Sequence, residues 1–108
     1  MTTQFTYADI KAAQQRISSY IRRTPQMDLK LDNGLQIFAK LENLQLSGSF
    51  KIRGALNTVL SLADEELKRG LVTASGGNHG MGVATAGAIT DTPTTIYLPE
   101  NTPQSKID

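Results

Sequence analysis

Apolar residues recur three or four positions apart through residues 7–22, where Ile10, Ala13, Ile17, Tyr20 and Ile21 share one face, and this spacing predicts a helix. Thr6 or Asp9 is placed to cap its start, and Thr24-Pro25 to stop it. Residues 27–31 and 36–41 read as short strands on either side of Asp32-Asn33-Gly34, a hairpin-turn signal. The helical period returns from Lys51 to Leu62, at Ile52, Ala55, Leu56, Val59 and Leu60, and Ala63 continues it. Asp64 to Arg69 predicts a short polar helix ended by Gly70, followed by a strand over 71–74. The small residues Gly82, Ala84, Ala86, Gly87 and Ala88 within 78–89 predict a helix lying close against a sheet, and Thr94 to Leu98 a further strand. Thr102 or Ser105, with Pro103, would open a final helix.

The order strand, glycine loop, helix, strand over 71–98 is a βαβ unit, which sets the loop at the carboxyl edge of a parallel sheet. The predicted class is α/β, an incomplete three-layer αβα domain with a partial parallel sheet. Two parallel strands are too few to hold helices on both faces, so a fragment completed by further sequence or a partner chain is expected.

Composition removes several functions. Eleven Lys and Arg stand against ten Asp and Glu, and aromatic residues do not interleave with the basic ones, so a nucleic-acid partner is not expected. The chain has no cysteine, hence no disulfide framework, thiolate nucleophile or zinc-thiolate cluster. No apolar run reaches membrane-spanning length and the N-terminus lacks a basic region followed by an apolar core, so a soluble cytoplasmic protein away from membranes is expected.

Two segments carry chemistry. Ser47-Gly48-Ser49-Phe50-Lys51 sets one amine among small and aromatic neighbours, a setting that favours a nucleophilic amine able to form a Schiff base. Most lysines in a first helical turn are simply solvated, which is the competing reading for Lys51. Ser75-Gly76-Gly77-Asn78-His79-Gly80 follows a strand and opens a helix, so its backbone N–H groups can converge on a phosphate or a carboxylate. It lacks the Lys-Ser/Thr ending of a nucleotide P-loop and the spacing of the dinucleotide fingerprint. His79, the only histidine, has no partners at ligand spacing, and Ser75 lacks the setting of a hydrolase nucleophile, so no metal site is expected.

At these residues the chain resembles the threonine/serine dehydratase group of the fold-type II, tryptophan synthase beta-like pyridoxal-phosphate enzymes. Lys40 to Ala55, running Lys-Leu-Glu-Asn-Leu-Gln-Leu-Ser-Gly-Ser-Phe-Lys-Ile-Arg-Gly-Ala, is similar to the segment around the cofactor lysine, and Ala74 to Gly80 to the substrate loop. Thr24-Pro25 and Leu98-Pro99-Glu100 fit in order and separation. The resemblance implies that Lys51 holds pyridoxal 5'-phosphate as an internal aldimine and later moves the substrate α-proton. It implies that Phe50 packs beside the pyridine ring, that Asn78 bonds the ring's 3′-oxygen, and that Ser75, Gly76, Gly77, Asn78 and His79 bind the substrate. The implied reaction converts L-threonine or L-serine to a 2-oxo acid and ammonia.

The same resemblance implies that 1–46 is a helix and hairpin of a large domain, that 47–108 begins a small one, and that the longer parent is a homo-oligomer. The phosphate loop and the partner of the pyridine nitrogen lie outside these 108 residues, so the piece alone is expected to be inactive. Gly76 stands where serine racemases tend to carry serine, which argues against efficient racemisation. Gln26 and Thr90-Asp91-Thr92 depart from the group's usual apolar residue and glycine-containing turn. The alternatives are a catalytically silent remnant or subunit module, a small anion-binding domain using the 75–80 loop, a serine racemase and a 3-hydroxyaspartate ammonia-lyase.

Overall fold

The computed structural model describes residues 4–108. Helix α1 runs Tyr7–Ile17, and the hairpin strands are β1, Gln26–Lys30, and β2, Gln36–Lys40. After two tight turns come α2, Lys51–Val59, and α3, Asp64–Lys68. The βαβ unit is β3, Leu71–Ala74, α4, Asn78–Ile89, and β4, Thr94–Tyr97, and α5, Gln104–Ile107, closes the chain.

Local chemistry explains the boundaries. Thr6 caps α1 through a reciprocal pair, its hydroxyl accepting the Asp9 N–H while the Asp9 carboxylate accepts the Thr6 N–H at 2.7 Å. The helix ends at Ile17, five residues before the predicted limit of 22, because Ser18 turns its hydroxyl back to the Gln15 carbonyl and the chain continues as turns. Ile10 and Tyr20, expected on a core face, are exposed, and Ile17 is the one buried residue of this helix. In the hairpin, Gly34 takes φ 81°, and its N–H bonds the Leu31 carbonyl to close a three-residue loop. Gly70 ends α3 in the same left-handed region, where a β-carbon would also meet the Pro93 carbonyl at 2.9 Å. Neither Thr102 nor Ser105 caps α5; the Thr102 hydroxyl donates to the Pro99 carbonyl instead.

Strands β3 and β4 pair in parallel, with Leu71 opposite Thr94 and Ala74 opposite Tyr97, while β1 and β2 form a separate antiparallel pair. The core is the meeting of α2 with α4. Ile52, Ala55, Leu56 and Val59 pack with Val83, Ala86 and Ile17, and Ile52 and Leu56 are completely enclosed. The glycines of α4 serve two neighbours. Gly82 receives the backbone of α2 at Lys51 and Ile52, whereas Gly80 and Gly87 face the sheet side at Ser75, Ile96 and Thr94. Close approach to a sheet was predicted for the whole helix, and Ala84 and Ala88 are instead exposed.

The radius of gyration is 16.5 Å, against about 13 Å for a compact domain of this length. The excess comes from arms that do not close on the core. Among the described residues no helix is long and apolar enough to cross a membrane.

Candidate active site

Lys51 is the first residue of α2, and its ammonium stands 5.2 Å above the centroid of the Phe50 ring. Both residues are exposed, so the enclosed setting expected for the amine is not formed by these neighbours. They open onto a groove of about 550 Å³ between α2, β3 and α4, mostly apolar, which His79 and Val83 line from the other side.

The approach of α4 sets this geometry. A β-carbon on Gly82 would lie 3.2 Å from the Lys51 carbonyl carbon and 3.3 Å from the Ile52 nitrogen, so the absence of a side chain lets the two helices meet at the lysine. Asn78, the exposed first residue of α4, sits one turn before Gly82 and therefore near the same face of the helix. Gly77 precedes the helix without a side-chain cap, which leaves the first-turn N–H groups beside the groove open to an anion.

Ser75, Gly76 and Gly77 lie beyond the groove lining. The Ser75 hydroxyl accepts the Gly77 N–H at 3.3 Å and shapes the loop. Gly76 abuts the segment after β4, where a β-carbon would stand 3.0 Å from Thr102 Oγ1 and 3.1 Å from Pro99 Cδ. Gly77 has open space where a β-carbon would be. The structure thus brings Phe50, Lys51 and His79 to one groove, and leaves Asn78 and the serine-glycine run outside its lining.

Sequence reasoning assigned no role to Glu42, Gln45 or Arg53, which hold the approach to Lys51. Arg53 donates to Glu42 twice, from Nε at 2.9 Å and from a terminal nitrogen at 2.6 Å, and the Thr24 hydroxyl donates to the same carboxylate at 2.7 Å. The hydrogen bonds from Arg53 hold the Glu42 carboxyl down at about 2, against an ordinary value of 4.5, and in return raise the Arg53 guanidinium. Gln45 is buried and bridges Arg22, accepting its N–H at 2.9 Å and donating to its carbonyl at 2.8 Å. Between Gln45 and Ser49 the chain takes φ 62° at Ser47 and 73° at Gly48, and the Ser47 hydroxyl is buried without a partner. That is a strained turn placed four residues before the lysine.

The donor set fits a carbonyl cofactor and an anionic substrate: one accessible amine at an aromatic ring and an apolar groove for the first, an uncapped helix start for the second. Residues 17–108 match the family described as "Pyridoxal-phosphate dependent enzyme", and the chain belongs to that family. It is 48% identical over 105 residues to an L-threonine ammonia-lyase of Thermotoga maritima, covering 94% of this chain and 26% of that protein. It is 39% identical over 105 residues to an L-threo-3-hydroxyaspartate ammonia-lyase of Saccharomyces cerevisiae, covering 94% and 32%. Among solved structures, maize serine racemase superposes with a TM-score of 0.87 at 43% identity, over 93% of this chain and 31% of that one. The chain therefore spans about a quarter to a third of the length of these relatives.

Proposed function

We propose that the polypeptide carrying these residues is a pyridoxal-phosphate-dependent ammonia-lyase acting on L-threonine or L-serine. Lys51 is its cofactor lysine, residues 1–46 belong to a large domain and 47–108 begin a small one. The observation that carries the reading is the meeting of Lys51 and Gly82, which sets the amine, the Phe50 ring and the start of α4 around one groove.

When bound, the cofactor supplies an electron sink that stabilises negative charge at the substrate α-carbon. The chain's own residues supply the rest. Lys51 Nζ anchors the cofactor and, once freed, moves the α-proton. Phe50 packs against the ring and Asn78 donates to its 3′-oxygen. Ser75, Gly76, Gly77, Asn78 and His79 take the substrate carboxylate through backbone N–H groups and short polar side chains. The free amino acid is the small-molecule partner, and a cytoplasmic homo-oligomer completes the proposal.

Gly76 favours elimination over racemisation. Glycine brings no hydroxyl to act as a second proton carrier there, and a β-carbon would press on Thr102 Oγ1 at 3.0 Å and Pro99 Cδ at 3.1 Å, so a larger side chain would need those neighbours to shift by a few tenths of an ångström. The relatives include proteins named as serine racemase and hydroxyaspartate ammonia-lyase, and the amino acid consumed is the part of the proposal most open to test.

The decisive experiment uses the natural polypeptide with pyridoxal phosphate, reading ammonia and 2-oxo acid release from L-threonine, L-serine and L-threo-3-hydroxyaspartate. Threonine or serine should be turned over, and Lys51→Ala should lower kcat by at least about a thousandfold, as expected for loss of a group that both anchors the cofactor and moves a proton. Full activity in Lys51→Ala would end this reading. Preference for hydroxyaspartate would move the substrate while keeping the chemistry.

A further inference from the structure

We propose that Glu42 is a positioning residue for Lys51: through its two-point grip on Arg53 it sets the roll of the first turn of α2, and with it the direction in which the lysine side chain leaves the helix. The inference rests on the reading of Lys51 as the cofactor lysine.

The start of α2 is held on its core side by the enclosed Ile52 and by the Lys51 N–H, which donates to the Ser49 hydroxyl at 3.3 Å. Phe50 makes no side-chain cap, and the segment before it runs through left-handed Ser47 and Gly48. The buried stripe Ile52, Ala55, Leu56 and Val59 presses the helix onto α4, but at Lys51 the facing position is Gly82, which offers no side chain to interlock. Ile52 and Ser49 resist rotation of the first turn from the core side, and the far side needs a resistance of its own.

Arg53 provides that resistance. It follows Lys51 by two residues, about 200° round the helix, so a fixed guanidinium fixes the opposite edge from the amine. The planar fork bonds both carboxylate oxygens of Glu42, which constrains a plane as well as a distance. The anchor is itself anchored. Thr24 donates its hydroxyl to Glu42 Oε1, Lys40 Nζ donates to the Thr24 carbonyl at 2.5 Å, and Gln45 staples the neighbouring Arg22 backbone. The Glu42 side chain is only 16% exposed and Arg53 34%, and among the described residues no other carboxylate lies within ion-pair distance of Arg53. Carboxylate, guanidinium and lysine therefore form one mechanical line from the end of β2 to the cofactor amine.

The test compares the natural polypeptide with its Glu42→Gln, Arg53→Lys and Lys51→Ala forms. Each is titrated with pyridoxal phosphate, reduced with borohydride and mapped by mass spectrometry for the labelled lysine, and its thermal midpoint is recorded by circular dichroism. Labelling is done well below each midpoint, so loss of fold does not enter. We expect the pyridoxal phosphate concentration for half-labelling of Lys51 to rise at least tenfold in Glu42→Gln. Arg53→Lys keeps the charge without the fork, and the rise should be smaller there. Unchanged labelling of Lys51 in both variants, with only the midpoints lowered, would make the network a structural brace and overturn the proposal. If the unsubstituted protein carries its label elsewhere than Lys51, the lysine reading itself fails and the inference goes with it. Should Glu42→Gln not fold, Arg53→Lys decides alone.

Discussion

The hairpin and the α2–α4 pair are equally well patterned in the sequence and end in opposite states. In the hairpin, Met27 pairs with Ala39 and Leu29 with Ile37, which sets four apolar residues on one face of the ribbon with Phe38 on the other, and the large apolar side chains of both faces are open to solvent. In α2 the stripe Ile52, Ala55, Leu56 and Val59 is buried against α4. The contrast teaches that amphipathic order specifies which face seeks a partner, whereas burial needs the partner to be present. A two-stranded ribbon with exposed apolar side chains is held mostly by its turn and ladder bonds, while the helix pair has dispersion and the removal of apolar area from water.

Paired truncations put the largest numbers on this difference. In the 108-residue chain, Leu56→Ala should lower unfolding free energy by about 2–5 kcal/mol, the range for emptying an enclosed leucine site. Ile37→Ala, which removes only a cross-strand contact on an open face, should lower it by under about 1 kcal/mol. Urea unfolding measures both. Repeating the pair in the natural polypeptide sharpens the comparison, because a loss at Ile37 equal to that at Leu56 would mean that further chain covers the hairpin.

A smaller effect tests the tie between the two regions. Glu42 follows the end of β2 and Arg53 lies in α2, so their ion pair joins the hairpin arm to the core. The Glu42 carboxyl titrates near 2 when folded and near 4.5 otherwise, so the pair's stabilisation is fully present above pH 4.5 and is lost as pH falls towards 2. Hydrogen bonds to charged groups of this kind are worth roughly 1.5–3 kcal/mol. The thermal midpoint should therefore fall more steeply between pH 4.5 and 2 in the unsubstituted protein than in Glu42→Gln, with the two curves drawing together at the acid end. Parallel curves over that window would show that the pair contributes nothing across the junction.

Much of this was legible in the residues, and what was missed has a common cause. Periodicity, small-residue runs and capping signals located the strands and helices to within about three residues apart from the end of α1, and Asp32-Asn33-Gly34 marked a hairpin because left-handed geometry needs a glycine at its third position. The motif around Lys51 was visible because cofactor chemistry requires a particular amine. The Glu42–Arg53 grip was not, although both residues stood within the quoted segment, since an ion pair between positions 42 and 53 depends on how two irregular turns fold back. The early end of α1 escaped for a related reason: Ser18 competes with the helix through its own side chain, and period alone carries no record of that. Spacing reports faces. It does not report which side chains meet across a turn.

The smallest effect concerns Asp91, on the core side of the comparison. The departure from a glycine-containing turn at Thr90-Asp91-Thr92 has a structural counterpart, because Asp91 takes φ 50°, the left-handed region that glycine occupies without strain. The turn is held around it by threonine hydroxyls, with Thr90 and Thr92 oxygens 2.8 Å apart and Thr94 donating to the Thr92 carbonyl at 2.9 Å. The Thr92 N–H also reaches back to the Gly87 carbonyl at 2.8 Å. With the geometry fixed by these neighbours, the aspartate bears the conformational cost, lessened by the tolerance of Asp for this region. Asp91→Gly removes that cost and adds freedom to the unfolded chain, two terms of opposite sign. Since the β-carbon penalty is about 1–2 kcal/mol for ordinary residues and smaller for aspartate, the net gain should lie below about 1 kcal/mol, with the thermal midpoint rising. A midpoint lowered by the substitution would mean that the Asp91 side chain supports the turn, and that the βαβ unit relies on a contact its neighbouring hydroxyls do not supply.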